Sequence, residues 1–283
     1  MNSKKELLNR VLRLYPYNNV KSHFGEKAKN RAELIDDILS QTPEEDIYDY
    51  CYSNFGFTRK HVHIFEKISS KIDLSTSFDV LYSKVESTSL GTENFYIIKS
   101  NHNIKVIQPY QELDFSFPWP IKITQLKDET IFEFTILERN VAPYLPEGLE
   151  LLQSQRTLDE LEFLDICKTK NKLHFSPVDL HKGIKHMWDK DIIDALQADW
   201  KKPKSSSKVT MDESYTLKKA YPKLYEQIMK SEITKTNFCF LNDGDFSKRF
   251  RIEPKDGTIA FPLYPKTNDS NINVILDILK YNK

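Results

Sequence analysis

Arg249-Phe250-Arg251-Ile252-Glu253-Pro254-Lys255-Asp256-Gly257-Thr258-Ile259-Ala260-Phe261-Pro262-Leu263 alternates charged and apolar side chains, turns at Asp-Gly, and resumes an apolar pattern. Period two sends Phe250 and Ile252 to one side, against Ile259, Phe261 and Leu263, and sends Arg249, Arg251 and Glu253 to the other. Asp256-Gly257 marks a hairpin because glycine accepts φ > 0. Upstream, Asn237 to Leu241 adds a third strand through Asn242-Asp243-Gly244-Asp245. Downstream, Ser270 to Tyr281 carries Val274, Ile275, Ile278 and Leu279 at helical spacing. The C-terminus therefore reads as an antiparallel β-meander with a closing helix.

Period two also governs residues 72–140. Asn94 to Lys99 and Ile104 to Ile107 flank a turn expected at Ser100–Asn103, and Ile121 to Thr124 and Ile131 to Ile136 flank Lys127-Asp128-Glu129. Pro118 and Pro120 bracket Trp119, which predicts a sheet edge or corner there. Helical signals surround this sheet. Ser3 with Glu6, Asn30 with Glu33, and Thr42 with Glu45 have capping-box spacing, and the stripes Leu7, Leu8, Val11, Leu12 and Leu34, Ile35, Ile38 follow the first two. A further helix is expected from Thr58, with Val62, Phe65 and Ile68. Thr157 with Glu160, then Ser176-Pro177 before Leu180, Ile184, Met187 and Trp188, then Ile192, Leu196 and Trp200 predict three more helices. A short helix is expected over 223–230.

The resulting class is α+β: an N-terminal helical bundle over 1–70, and an α+β domain over 71–283. The latter has a central antiparallel sheet, a helical segment, the C-terminal meander with its closing helix, and a mobile Lys/Ser-rich loop near 201–210. The length of 283 residues fits two domains at about 150 residues each.

Several chemistries are excluded by spacing. The closest of the 7 glycines, Gly244 and Gly257, lie 13 positions apart, so no dinucleotide fingerprint, P-loop or nucleophile elbow can be placed. The 3 cysteines, Cys51, Cys167 and Cys239, form no CxxC and sit among apolar neighbours, which points to buried thiols in a reducing cytoplasm. No signal-peptide core and no membrane-spanning run is present. With 41 basic and 41 acidic side chains the net charge is zero, which excludes a general basic coat and leaves local patches.

Two such patches stand out. Lys21, Lys27, Lys29 and Arg31 surround a helix–turn–helix connector, where helix N-termini and cations can dock on phosphate. Lys201, Lys202 and Lys204 open an acid-free octet ending at Lys208, which suits polyanion binding through counterion release. Histidines offer an alternative. His181 and His186, with Asp189, could hold a metal, although five-residue spacing puts the two rings roughly 140° apart on a helix. His61 and His63 diverge likewise if helical. Glu253-Pro254-Lys255 is read as a turn-flanking charge pair. With no compact catalytic motif, the expectation is a non-enzymatic cytoplasmic binding or scaffold protein without a cofactor. Its candidate partners are the DNA or RNA phosphate backbone and another protein. The alternative is a metal-dependent hydrolase or nuclease with a dispersed His/Asp site.

Overall fold

The computed structural model describes residues 3–25, 28–107, 110–137, 141, 144–145, 148–202, 205–212, 215–241 and 249–283. It is a mixed structure of α-helices and eleven strands in antiparallel ladders, as the α+β class requires. The chain divides into two compact units interleaved in sequence: unit 1 holds Met1–Phe55, Ser69–Thr124 and Phe134–His174, and unit 2 holds Gly56–Ile68, Gln125–Glu133 and Phe175–Lys283. Among the described residues, no helix is long and apolar enough to cross a membrane.

Unit 1 begins with helices α1 (Lys4–Leu12), α2 (Tyr17–Phe24), α3 (Arg31–Gln41) and α4 (Glu44–Ser53). The capping logic holds at the first: Ser3 Oγ accepts from the Glu6 N–H, and the Glu6 carboxylate accepts from the Ser3 N–H. Asn30 caps α3 through the Glu33 N–H. At α4 the expected Thr42 box is absent and Pro43 takes the cap position without a side-chain bond. Arg31 donates from one guanidinium nitrogen to the carbonyls of Leu12, Arg13 and Tyr15 at 3.3, 2.9 and 2.6 Å, so it satisfies orphan acceptors at the end of α1. The strands of this unit are β2 (Val80–Ser87), β3 (Thr92–Ile107), β4 (Gln111–Gln125) and β6 (Glu150–Arg156), in the order β2–β3–β4 with β6 also on β3. The turn expected at Ser100–Asn103 does not form; β3 runs through it because its inward residues Ser100, His102, Ile104 and Val106 keep one unbroken buried row. Pro118-Trp119-Pro120 likewise lies inside β4 rather than at a corner. Trp119 donates to the Thr135 carbonyl at 2.9 Å and packs on Phe134 and on Phe163 of α5 (Glu160–Thr169). The α5 cap is Asp159 with the Glu162 N–H, two residues after the expected Thr157.

Unit 2 orders its strands β5 (Glu129–Thr135, of which 129–133 fall here), β1 (Lys60–Glu66), β11 (Thr258–Phe261), β10 (Arg249–Glu253), β9 (Glu232–Phe240), β7 (Ile193–Lys202) and β8 (Ser205–Thr210). The turn between β10 and β11 forms as predicted, with Gly257 at φ 61°. The turn expected at 242–245 lies outside the described residues. Three sequence expectations are corrected. The helix from Thr58 is strand β1, paired from Lys60↔Phe261 to His63↔Thr258. The helix through Ile192, Leu196 and Trp200 is strand β7. Residues 201–202 and 205–208 of the octet lie in the paired strands β7 and β8, with Lys201 opposite Ser206 and Trp200 opposite Ser207. Helices α6 (His181–Asp189), α7 (Leu217–Ala220), α8 (Pro222–Met229) and α9 (Ser270–Asn282) complete the unit, and α6 starts four residues beyond Pro177.

Trp188, Phe238, Phe250, Ile252, Ile259, Phe261, Ile275 and Ile278 form the unit 2 core. Burying each such side chain contributes about 1.5–3 kcal/mol. Helices α6 and α9 approach so closely at Gly183 that a Cβ there would collide with the Ile278 carbonyl.

Candidate anion-binding face of the C-terminal sheet

The core side of the unit 2 ladder is filled, so each outward residue of β7–β11 faces away from that core. Register aligns these residues across strands: Arg251 is opposite Asn237, Asn237 opposite Gln197, and Gln197 opposite Thr210. Directly opposed residues share a face, so this is one polar row across four strands. The Asn237 side-chain amide donates to Gln197 Oε1 at 3.2 Å, and Gln197 donates to Asp199 Oδ1 at 3.4 Å. A concavity of about 410 Å³ opens on the row, and its lining includes Leu196, Met211, Phe250, Pro262, Arg249 and Arg251.

Charge is distributed unevenly along this face. Beyond the row, on the side away from Arg249, Lys201 pairs with Glu232 and Lys235 with Glu253, each at 2.7 Å. The Lys201 ammonium, hydrogen-bonded to Glu232, holds that carboxyl below its ordinary range. Arg251 is exposed and makes no ion pair or side-chain hydrogen bond with another described residue. Cys239, opposite Arg249, is no activated thiol: burial and the nearby Asp194 push its pKa up more than Arg249 lowers it.

The residues singled out from sequence are distributed as follows. Lys201 lies on this face; Lys202 points to the other side, 5.7 Å from the Trp200 ring centroid. Lys21 lies 5.9 Å from the Tyr17 ring, and Lys29 is exposed. Arg31 is occupied by the α1 carbonyls. Lys27 and Lys204 lie outside the described residues. The two basic patches fall in different units. Arg249 and Arg251 are thus the residues that a search for lysine runs passes over. Their signal was the Arg-x-Arg alternation opposite Phe250 and Ile252.

The histidines do not converge. His181 Nδ1 lies 2.5 Å from Asp179 Oδ1 and Nε2 lies 2.8 Å from the Ile233 carbonyl, so both ring nitrogens face oxygen acceptors and neither lone pair is directed at a metal. Burial raises the Asp179 pKa, but hydrogen bonds from His181 outweigh it and hold the carboxyl low. With Lys185, Glu232 and Lys255 these residues line a shallow cavity of about 360 Å³. His186 instead stacks on Tyr281, with ring centroids 4.2 Å apart, and Asp189 accepts from the Tyr225 hydroxyl at 3.4 Å. His61 and His63 share a strand face rather than diverging, because β1 is extended. Among the described residues, no group of three or more His, Cys, Asp and Glu side chains is placed to hold a metal.

Compared with known proteins, the chain matches no family model and no curated sequence.

Proposed function

We propose that this is a non-enzymatic binding protein of the cytoplasm that contacts the phosphate backbone of DNA or RNA through the open sheet face of unit 2. The observation that supports this reading is Arg251: an exposed guanidinium without a partner among the described residues, beside Arg249 and in line with Asn237, Gln197 and Thr210. A planar guanidinium presents paired donors that match phosphate oxygens. Amide side chains next to it can bond sugar or base edges. Lys208 extends the basic surface along the β7–β8 hairpin, where Lys201 is paired with Glu232. No exposed aromatic ring lines this concavity, so the reading implies backbone contact with little sequence preference. In the same reading α1–α4 form the helical bundle expected within residues 1–70 and serve a protein partner.

The test is fluorescence anisotropy with single- and double-stranded DNA and RNA oligonucleotides at two salt concentrations. Binding should weaken with salt, and Arg249→Ala with Arg251→Ala should lower the number of released counterions by roughly two. Absence of binding at the lower salt, or a double variant with an unchanged salt slope, overturns the proposal.

A further inference from the structure

The inward side of the β3–β6 ladder in unit 1 carries a polar cluster that neither the helical caps nor the nucleic-acid reading uses. His102 of β3 stands directly opposite Arg156 of β6, so both side chains leave the ladder on one face. His102 is 4% exposed and tilts against Phe117 at 4.6 Å between centroids; neither Nδ1 nor Nε2 has a hydrogen-bond partner among the described residues. The Arg156 guanidinium lies 3.9 Å from the Trp119 ring centroid, and its Nε donates to Ser100 Oγ at 3.3 Å. Its Nη2 is buried and has no acceptor among the described residues. Arg10 of α1, also buried, donates to the Ser116 carbonyl and lies 5.1 Å from the same Phe117 ring.

Such a cluster has a defined complement. Arginine offers donors only, and a neutral imidazole offers one donor and one acceptor. A buried charged donor left without an acceptor carries the full desolvation penalty of the missing bond. Burial first, then the charges of Arg156 and Arg10, push the His102 pKa down to about 4, so the ring is neutral at physiological pH. Burial lowers the Arg156 pKa to about 10, against the opposing charges of Glu160 and Asp159. Neither carboxylate supplies the missing acceptor: Nη2 remains unbonded, and Asp159 caps α5. What fits is a compact negative group with several lone pairs.

We propose that unit 1 binds a small oxyanion, the group shared by inorganic phosphate and carboxylates, between Arg156 Nη2 and the His102 imidazole. Arg10 adds positive potential, and Trp119 and Phe117 form apolar walls that keep the pair out of bulk water. Charge-assisted bonds to a stacked guanidinium are short and directional, so the site favours an oxyanion over chloride.

The experiment is a titration of the full chain with sodium phosphate or sodium acetate at neutral pH, ionic strength being held with sodium chloride, read by the ¹⁵N resonances of the imidazole rings. His102 is assigned by the signal lost in His102→Gln. Its resonances should shift saturably with phosphate, with acetate, or with both, and the responding anion names the ligand class. Arg156→Gln should weaken the apparent affinity roughly ten-fold or more. Should that variant fail to fold, Arg156→Lys keeps the charge and removes the fork, and the same loss is expected. The proposal is overturned by His102 resonances that respond to neither oxyanion, that respond equally to chloride, or that shift undiminished in the arginine variants. None of these outcomes depends on nucleic-acid binding by unit 2.

Discussion

Asp194 in unit 2 and Arg156 in unit 1 both carry a charge into a packed interior from a strand, and their surroundings differ in kind. The Asp194 carboxylate accepts from the Trp188 indole at 2.8 Å, from the Ala195 N–H at 2.7 Å and from the Lys218 N–H at 3.0 Å. Lys60 and Glu133 in unit 2 similarly meet at 2.7 Å with side chains 2% and 0% exposed. Unit 2 thus gives each of these buried charges a partner from within the chain, although Glu133 Oε2 has no hydrogen-bond partner among the described residues. Unit 1 places Arg156 Nη2 and both nitrogens of His102 where the described residues answer none of them. Buried polar groups are almost always bonded, and an exception calls for a physical cause.

The sharpest way to break this contrast is to unpair unit 2. Lys60→Met should cost about 3–5 kcal/mol in urea unfolding, because the buried Glu133 loses the ammonium that faces it at 2.7 Å. Lys60→Met combined with Glu133→Leu should recover most of that loss, since an apolar pair of similar volume packs without a desolvation penalty. A single variant losing under about 1 kcal/mol would mean that water reaches this pair and that unit 2 is no drier than unit 1.

The next effect is the pH dependence of unit 1. The His102 pKa lies near 4 in the folded chain against an ordinary 6.5, so the unfolded chain binds more protons between those values. Above pH 6.5 the ring is neutral in both states and stability is whole; as pH falls from 6.5 to about 4, stability drops. At about 1.4 kcal/mol per pH unit the gap is worth roughly 3 kcal/mol. The charged groups facing the ring are Arg156 from β6 and Arg10 from α1. His102→Phe should flatten this part of the profile relative to the unaltered chain. Identical slopes in the two proteins would show that the ring protonates freely and is not held neutral.

How much of this was legible depends on where each signal resides. Local signals survived folding: the Ser3–Glu6 box, the Asn30 cap, the Asp256-Gly257 turn and the apolar stripe of α9 are decided within a few residues. The misassigned strands were decided at a distance. In β1, Lys60, Val62, His63, Ile64 and Phe65 are all buried, which erases the alternation that marks a strand. In β7 the register shifts between Ala195 and Gln197, and that bulge breaks period two, so Ile192, Leu196 and Trp200 mimic helical spacing. The open face of unit 2 was half visible, because the Arg249–Arg251 alternation is local whereas its alignment with Asn237 and Gln197 needs the register. The unit 1 cluster was invisible: Arg10 sits in the apolar stripe of α1, and Arg156 follows Gln153-Ser154-Gln155 with no pattern to mark it.

The smallest effect tests whether unit 1 has a hidden counter-ion. Glu160 and then Asp159 act on Arg156 electrostatically, and Asp159 also caps α5 through the Glu162 N–H at 2.9 Å. Asp159→Asn separates the two roles, because asparagine caps a helix about as well as aspartate but carries no charge. Asp159 is exposed, so water screens its attraction for the guanidinium and the substitution should change stability by no more than about 0.5 kcal/mol. Oxyanion affinity should rise slightly, because one competing negative charge near Arg156 is gone. Asp159→Ala, which loses the cap as well, should cost about 1 kcal/mol and serves as the control. If the asparagine variant instead loses as much as the alanine one, the Asp159 charge is what balances Arg156. Unit 1 would then pair its charge internally, as unit 2 does, through solvent-exposed Asp159 rather than through a buried partner.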